Sequence, residues 1–170
     1  MWAFLLPMPH IHTEPGEIDF VVNVYVVYRD KALLRFHEKH KMWLSPGGHV
    51  ELNEAPEEAA QREVMEEVGI PVKIWSGNKE IFPIDDSLVE VHQYQELTPP
   101  LLMNIHKITD THRHISMAYF ALAETDNIVE PETHEKSGGC IWLTKEELVA
   151  HPDVDPATKH YAIKALGLLA

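Results

Sequence analysis

Three glutamates near the middle of the chain have the spacing of a metal site. Glu63, Glu66 and Glu67 stand at positions i, i+3 and i+4, so a helix projects all three from one face. Three like charges this close destabilise a helix unless a cation lies among them. Carboxylate oxygens are the ligands that hard divalent cations prefer, so the spacing indicates a site for Mg²⁺ or Mn²⁺. Taken alone, the triplet is more typical of a solvated, Glu-rich helix surface.

The residues around the triplet strengthen the metal hypothesis. Gly48, Glu54 and the run Arg62 to Ile70 (REVMEEVGI) stand at fixed spacings. Together they resemble the signature of the Nudix hydrolase family at every defined position from Gly48 to Ile70. The resemblance implies the α/β class and the Nudix fold, an α/β/α sandwich around a mixed β-sheet. It also implies cleavage of a phosphoanhydride bond in a nucleoside diphosphate linked to another moiety, such as a nucleoside triphosphate.

The resemblance further implies a set of metal ligands. Glu66 and Glu67 look like the principal ligands, with Glu63 beside them, and the backbone carbonyl of Gly47 is expected to complete the shell. This set agrees with the chemistry of Mg²⁺, which takes oxygen ligands, keeps several waters and bridges the phosphate oxygens of a substrate.

Three other charged residues belong to the expected catalytic set. Arg62 and Glu54 are similar to the internal ion pair of the family, which orients the loop and the helix. Some members of the family use a glutamate on a later loop as base or extra ligand, and Glu135 is the candidate here. A solvated loop charge is the alternative for Glu135, because exposed acids are common in loops.

The elements that position these residues can be predicted from pattern. Two β-rich runs, Phe20 to Tyr28 and Ala32 to Phe36, flank a polar turn and predict an antiparallel hairpin. The Trp43 to Gly48 segment predicts a sharp turn. The central helix is expected over Ala55 to Val68, and Gly69 has the position of its C-terminal cap.

Later segments predict more strands and two more helices. Thr144 begins a capping-box sequence, and Asp155 precedes a terminal helix that extends to about Leu169. Strands are expected over four runs: Val72 to Trp75, Leu88 to Tyr94, Leu102 to Ile108 and Ile115 to Ala123. Strands that alternate irregularly with three helices favour a mixed sheet covered by helices.

Composition limits the class of protein. A chain of 170 residues with 45% hydrophobic content predicts one domain over 1–170. The formal charge of −13 argues against nucleic acid as the main partner. Cys140 is the single cysteine, which favours a reducing, cytoplasmic compartment. The apolar run Met1 to Met8 is short and broken by prolines, so no membrane insertion is expected. The family resemblance permits a homodimer.

Histidines and aromatic residues give weaker signals. His10/His12 and His112/His114 each place two imidazoles on one side of an extended segment, but no third metal ligand is identifiable, so surface or packing roles are favoured. Four aromatic residues are candidates to stack on a nucleobase: Trp43, Trp75, Tyr94 and Tyr119. Aromatic residues in a small sheet domain more often belong to the core.

Two other functions remain open at this point. A domain with this fold can sense a nucleotide without cleaving it, but such domains usually lose acidic residues of the signature, and here all are present. A branch of the fold isomerises isoprenoid diphosphates with a cysteine and a glutamate, but the cysteine motif of that branch is not visible around Cys140. The markers of known substrate subclasses are indistinct, so a nucleoside triphosphate or another small diphosphate is the expected substrate.

Overall fold

The chain begins its sheet with a long hairpin. A computed structural model describes residues 14–77, 95–129 and 138–170. Strand β1 (Ile18–Tyr28) and strand β2 (Lys31–His37) pair antiparallel next to the loop Arg29-Asp30. Arg29 adopts a left-handed conformation with φ 54°, which allows the chain to reverse within two residues. The predicted hairpin is confirmed, and both strands are longer than the pattern indicated.

The remaining strands complete a mixed sheet around β1. Within the described ranges the sheet follows the order β3-β2-β1-β7-β5, while β4 pairs with β1, β6 with β7 and β8 with β2. The β1–β7 pair is parallel and the other pairs are antiparallel. The bounds are β3 Met42–Leu44, β4 Gly47–His49, β5 Val72–Ile74, β6 Leu102–Lys107, β7 Arg113–Ala123 and β8 Cys140–Thr144.

In the described part of the chain, the first helix ends and two later helices begin where the capping signals place them. Helix α1 covers Pro56–Val68 and ends at Gly69, which has φ 72° and donates its N–H to the Met65 carbonyl. Helix α2 covers Lys145–Ala150 and helix α3 covers Pro156–Leu169. The caps of α2 and α3 are Thr144, which accepts from the Glu147 N–H, and Asp155, which accepts from the Thr158 N–H at 2.8 Å.

Two apolar clusters cover the two faces of the sheet. On one face Val22, Val24 and Val26 of β1 pack with α1, chiefly through Val64 and Val68. On the other face Tyr25 and Val27 pack with α2 and α3, chiefly through Leu148, Ala162 and Ala165. Successive residues of β1 therefore alternate between the two clusters, as a strand buried on both faces requires. The predicted α/β/α sandwich around a mixed sheet is confirmed.

Small differences from the predicted bounds follow from pairing. Strand β5 ends at Ile74 because its register on β7 extends from Val72 to Ile74 only. Strand β7 begins two residues earlier than predicted, at Arg113, because Ile18 of β1 pairs with it there. The predicted strand Leu88 to Tyr94 lies outside the described residues. In the part of the chain that is described, no helix has the length and apolar character needed to cross a bilayer.

Candidate metal and substrate site

Arg62 organises the acidic face of helix α1. Its Nε donates to Glu54 Oε2 at 3.0 Å and its Nη2 donates to Glu54 Oε1 at 2.7 Å, which forms a two-point ion pair. Nη2 also donates to the carbonyl of His49 at 2.9 Å. The guanidinium therefore connects α1 to two segments of the preceding loop, which is the orienting geometry that the sequence predicted for Arg62 and Glu54.

The same guanidinium contacts two glutamates of the predicted metal set. Nη1 of Arg62 donates to Glu63 Oε1 and to Glu66 Oε2, each at 2.9 Å. The hydrogen bonds that Arg62 donates to Glu54 lower the pKa of the Glu54 carboxyl and raise the pKa of Arg62. Burial raises the pKa of Glu63 in spite of the adjacent guanidinium. Glu63 and Glu66 each keep one oxygen that does not accept a hydrogen bond from Arg62.

Gly47 and Gly48, which open β4 directly after the bend at Pro46, lie against this acidic face, and we call this segment the glycine turn. A Cβ added to Gly48 would stand 2.3 Å from Oε1 of Glu63. A Cβ added to Gly47 would stand 2.1 Å from the Val22 carbonyl oxygen in β1. Only glycine allows the chain to approach both the strand and the carboxylate this closely, which explains why both positions are occupied by glycine.

Glu67 reaches the turn and a buried cation at the same time. Its Oε2 accepts from the Gly47 N–H at 3.0 Å, and its Oε1 stands 2.8 Å from Nη1 of Arg35. Arg35 comes from β2 and is 5% exposed. The turn, α1 and β2 thus meet at the Glu67 carboxylate.

The donor chemistry of this site fits Mg²⁺ or Mn²⁺. Glu63, Glu66 and Glu67 offer carboxylate oxygens from one helix face, beside the turn that carries Gly47. A hard cation prefers such an all-oxygen set. The structure brings these four predicted residues together with Glu54 and Arg62. Their metal-binding and catalytic roles stay predictions, and Glu135 lies outside the described residues.

A cavity opens beside Glu67 on the α3 face of the sheet. It has a volume of about 450 Å³. Gly47, Glu67 and Arg35 form one part of its wall, which joins the acidic site to the cavity. The rest of the wall includes aromatic and amide side chains, among them Tyr25, Tyr161, Asn23 and Asn104, and the imidazoles His37, His40 and His106. Such a mixture of flat and hydrogen-bonding groups suits a small polar ligand.

The aromatic candidates from the sequence have mostly packing positions. Tyr119 is buried, donates its hydroxyl to the Thr98 carbonyl and has a pKa raised to about 12 by burial. Trp43 and Trp75 pack partly buried against the α3-side cluster. Tyr94, His10 and His12 lie outside the described residues. His112 and His114 are both nearly buried, at 9% exposure.

Sequence reasoning missed the contribution of β2 and of the start of α3. Arg35 stands in the run Ala32, Leu33, Leu34, whose members are buried, and a cation in an otherwise buried strand needs an anionic partner. That rule identifies Arg35 as a residue of interest, but it does not identify Glu67 as the partner. No sequence signal places Tyr25 and Tyr161 in one wall, because that contact depends on how α3 packs on β1.

Comparisons with known proteins agree with the geometry. The chain matches the NUDIX domain over residues 19–164. It is similar to a NUDIX-family hydrolase from Clostridium perfringens, with 32% identity, a TM-score of 0.77, and coverage of 89% of this chain and 98% of that chain. A MutT NUDIX hydrolase from Burkholderia pseudomallei has 21% identity and a TM-score of 0.56, with coverage of 91% and 99%. No match was found among curated proteins.

A third solved structure supports the fold alone. A MutT protein from Methanosarcina mazei Go1 has 14% identity and a TM-score of 0.61, with coverage of 92% of this chain and 97% of that chain. The domain match includes the hairpin from its second residue, the glycine turn, α1 and α3 as far as Lys164, so it reaches every element that forms the described site. On this match and on the 32% identity to the Clostridium perfringens hydrolase, the chain belongs to the NUDIX family, whose members generally hydrolyse nucleoside diphosphate derivatives.

Proposed function

We propose that this protein is a Mg²⁺-dependent pyrophosphohydrolase, with Mn²⁺ as the alternative ion. Its substrate is a nucleoside diphosphate linked to another moiety, with a nucleoside triphosphate as the first candidate. The observation that carries the proposal is that Glu63 and Glu67 lie against the glycine turn, with Glu66 on the same helix face, and that Glu67 and Gly47 form part of the wall of a cavity. An acidic site beside an open cavity is where a cation and a phosphate chain can meet.

In this proposal Glu66 and Glu67 hold the ion, with Glu63 and the Gly47 carbonyl beside them. A bound Mg²⁺ supplies charge neutralisation for the phosphate oxygens and a more acidic water. Arg62 orients the helix, because it fixes Glu54 and the His49 carbonyl while it contacts Glu63 and Glu66. Glu135 remains the candidate for an extra ligand or for the base that takes the proton from water.

Cationic and aromatic groups of the cavity explain how an acidic protein would hold a polyanion. The formal charge of −13 repels phosphates, so binding needs local positive charge. Arg35 supplies a buried guanidinium next to Glu67, and guanidinium forms strong paired hydrogen bonds to phosphate. Tyr161 is partly buried, its ring centroid lies 5.5 Å from that of the buried Tyr25, and it offers an aromatic edge or face to a flat base.

A substrate screen with a matched pair of variants tests the proposal. Purified protein is incubated with Mg²⁺ or Mn²⁺ and with nucleoside triphosphates, ADP-ribose, nucleotide sugars or dinucleoside polyphosphates, and products are separated by HPLC. Glu66→Gln is expected to lower kcat by about 100-fold or more, because it removes a charged ligand oxygen. Glu58→Gln is the control on the same helix. The Glu58 side chain accepts from the Ala55 N–H, and glutamine also serves that capping role.

Two results would contradict the proposal. Full activity in Glu66→Gln would remove this carboxylate from the metal site. Tight nucleotide binding by calorimetry, with no product after prolonged incubation with Mg²⁺, would favour a nucleotide-sensing domain instead.

We also propose a cytoplasmic location. Its support is the single cysteine, Cys140, which allows no disulfide within the chain. Fractionation of the source cells with an antibody to this protein tests it, and recovery in a secreted or periplasmic fraction would contradict it.

A further inference from the structure

A second group of metal-binding side chains lies at the end of the sheet, away from the acidic face of α1. Asp19, His49 and His114 come from three different strands, and we call them the Asp19 cluster. Asp19 is fully buried, His114 is 9% exposed, and the His49 side chain is 26% exposed. Buried carboxylates in proteins are paired with other groups or coordinate metal ions, and imidazoles are common partners at metal sites.

Sheet register explains why these distant residues meet. Asp19 of β1 is the partner of His114 in the parallel β1–β7 pair. His49 of β4 is the partner of Val21, two residues after Asp19 and therefore on the same face of β1. The three side chains thus converge on the face that also carries the cavity, but beyond Asn23 and Gly47, which mark its wall.

The distances are close to those of a coordination shell. One ligand atom from each of Asp19, His49 and His114 can be chosen so that all lie within 4.8 Å of one another. His49 Nε2 stands 3.2 Å from Asp19 Oδ2. Two ligands of one tetrahedral ion, each about 2.1 Å from it, are about 3.4 Å apart, so this pair already has the required spacing. The His114 ligand atom lies within the same 4.8 Å limit of the other two.

A fourth residue supports the carboxylate. His112 Nε2 also stands 3.2 Å from Asp19 Oδ2, and its ring centroid is 5.1 Å from that of His114. Metal-binding carboxylates and histidines usually have such partners, which fix their orientation. Burial, with smaller contributions from the neighbouring imidazoles, lowers the pKa of His114 to about 4.

The donor types select the metal. Two imidazole nitrogens and one carboxylate oxygen are typical of Zn²⁺ and similar transition ions, and Mg²⁺ prefers oxygen alone. The acidic face of α1 presents only oxygens, so the two sites differ in the ion they favour. None of the three side chains of the Asp19 cluster belongs to the Glu63–Glu66–Glu67 set.

We propose that Asp19, His49 and His114 form a Zn²⁺-class metal site that is separate from the Mg²⁺ site of the NUDIX signature. The ion joins β1, β4 and β7 at one end of the sheet. It also fixes His49, the residue directly after the glycine turn, whose carbonyl accepts from Arg62. With three protein ligands, the fourth position of a tetrahedral ion is left to water, and occupancy of the site stabilises the loop that carries Gly47 and Gly48.

Metal binding measured without any activity assay tests the site. Chelator-treated protein is titrated with Zn²⁺ by calorimetry in excess Mg²⁺, and Co²⁺ is then used as a probe, because its absorption reports tetrahedral coordination. One equivalent is expected to bind the wild type, with a rise in Tm. His114→Gln and Asp19→Asn are each expected to weaken Zn²⁺ binding by at least about tenfold and to remove the rise in Tm.

Matched variants separate this site from other sources of zinc binding. His160→Gln changes an exposed histidine on α3 and should leave binding unchanged. Glu66→Gln should also keep the Zn²⁺ equivalent, so the inference stands or fails independently of the proposed hydrolase activity. His114→Gln is close in size to the native side chain, and circular dichroism establishes whether it is folded.

Three outcomes overturn the inference. Unchanged Zn²⁺ binding in a folded His114→Gln variant means that the ion binds an adventitious site, such as the pair His37 and His40, whose ring centroids are 4.4 Å apart. Absence of binding to the wild type means that the cluster is a hydrogen-bonded network of buried polar groups. Loss of the Zn²⁺ equivalent in Glu66→Gln means that zinc occupies the glutamate site.

Discussion

At the scale of single residues, Arg62 has the most connections in the described site. It donates two hydrogen bonds to Glu54, one each to Glu63 and Glu66, and one to the His49 carbonyl. Without a cation, three carboxylates on one helix face repel one another, and this guanidinium reduces that repulsion. The same residue therefore stabilises the metal-free helix and aligns it with the glycine turn.

The Arg62–Glu54 pair makes stability depend on pH. Because Arg62 lowers the folded-state pKa of Glu54, ionised Glu54 contributes stability above its unfolded pKa of about 4.3, and the contribution is lost as pH falls through the lowered value. Glu54→Gln is expected to lower the free energy of unfolding by about 2 kcal/mol at pH 7 and by much less at pH 3. Urea denaturation at the two pH values measures this difference.

Glu51→Gln is the control for that experiment, since Glu51 is exposed in the same loop. It should resemble the wild type at both pH values. An equal loss in Glu54→Gln at pH 7 and pH 3 would show that the pair does not carry the pH dependence.

At the scale of elements, the glycine turn and α1 depend on each other. The turn can reach Glu67 and Glu63 only because Gly47 and Gly48 have no side chains to hold them away from β1 and α1. Strand β1 cannot move away from the turn, because it is packed on both faces and paired with β7 over nearly its whole length. The position of β1 at the centre of the sheet therefore leaves no room for a side chain at Gly47.

Alanine at two glycines should have opposite effects for this reason. Gly47→Ala places a Cβ against the Val22 carbonyl and is expected to destabilise the protein by about 2 kcal/mol or more. Gly167→Ala, in helix α3 with no atom near the new Cβ, is expected to stabilise by about 0.5 kcal/mol. Thermal denaturation of both variants measures the contrast. A neutral Gly47→Ala variant would mean that the turn moves freely away from β1.

At the scale of the whole molecule, net charge and histidine content determine how solubility depends on pH. The chain has a formal charge of −13, an isoelectric point near 5.3 and twelve histidines. Protonation of the histidines below about pH 6.5 brings the net charge close to zero, and proteins without net charge associate. Solubility is therefore expected to be lowest near pH 5.3 and to recover above pH 7.

Light scattering over pH 4.5 to 8 at fixed protein concentration and salt measures this behaviour. Added salt should have little effect at pH 8, where the large negative charge keeps molecules apart. Scattering that stays constant across pH 5.3 would show that the buried histidines do not take up protons, as the low pKa of His114 already indicates for one of them.

The sequence by itself determined the features that depend on nearby residues. The i, i+3, i+4 spacing put Glu63, Glu66 and Glu67 on one face of α1, and local capping signals placed the ends of the helices. Alternation and turn residues predicted the hairpin. The signature of Gly48 to Ile70 indicated the family, which the domain match over 19–164 confirms. Helical spacing and capping act within a few residues, so they can be read directly from the chain.

Only the tertiary structure decided which distant residues meet. Asn23 donates to Ser116 across 93 positions, and the same parallel register of β1 and β7 brings Asp19 to His114. A shift of one residue in that register would move His114 to the other face of the sheet. Arg35 likewise meets Glu67 only because β2 and α1 converge at the glycine turn. Register and packing result from the whole core, so the cavity and the Asp19 cluster had no local signal in the sequence.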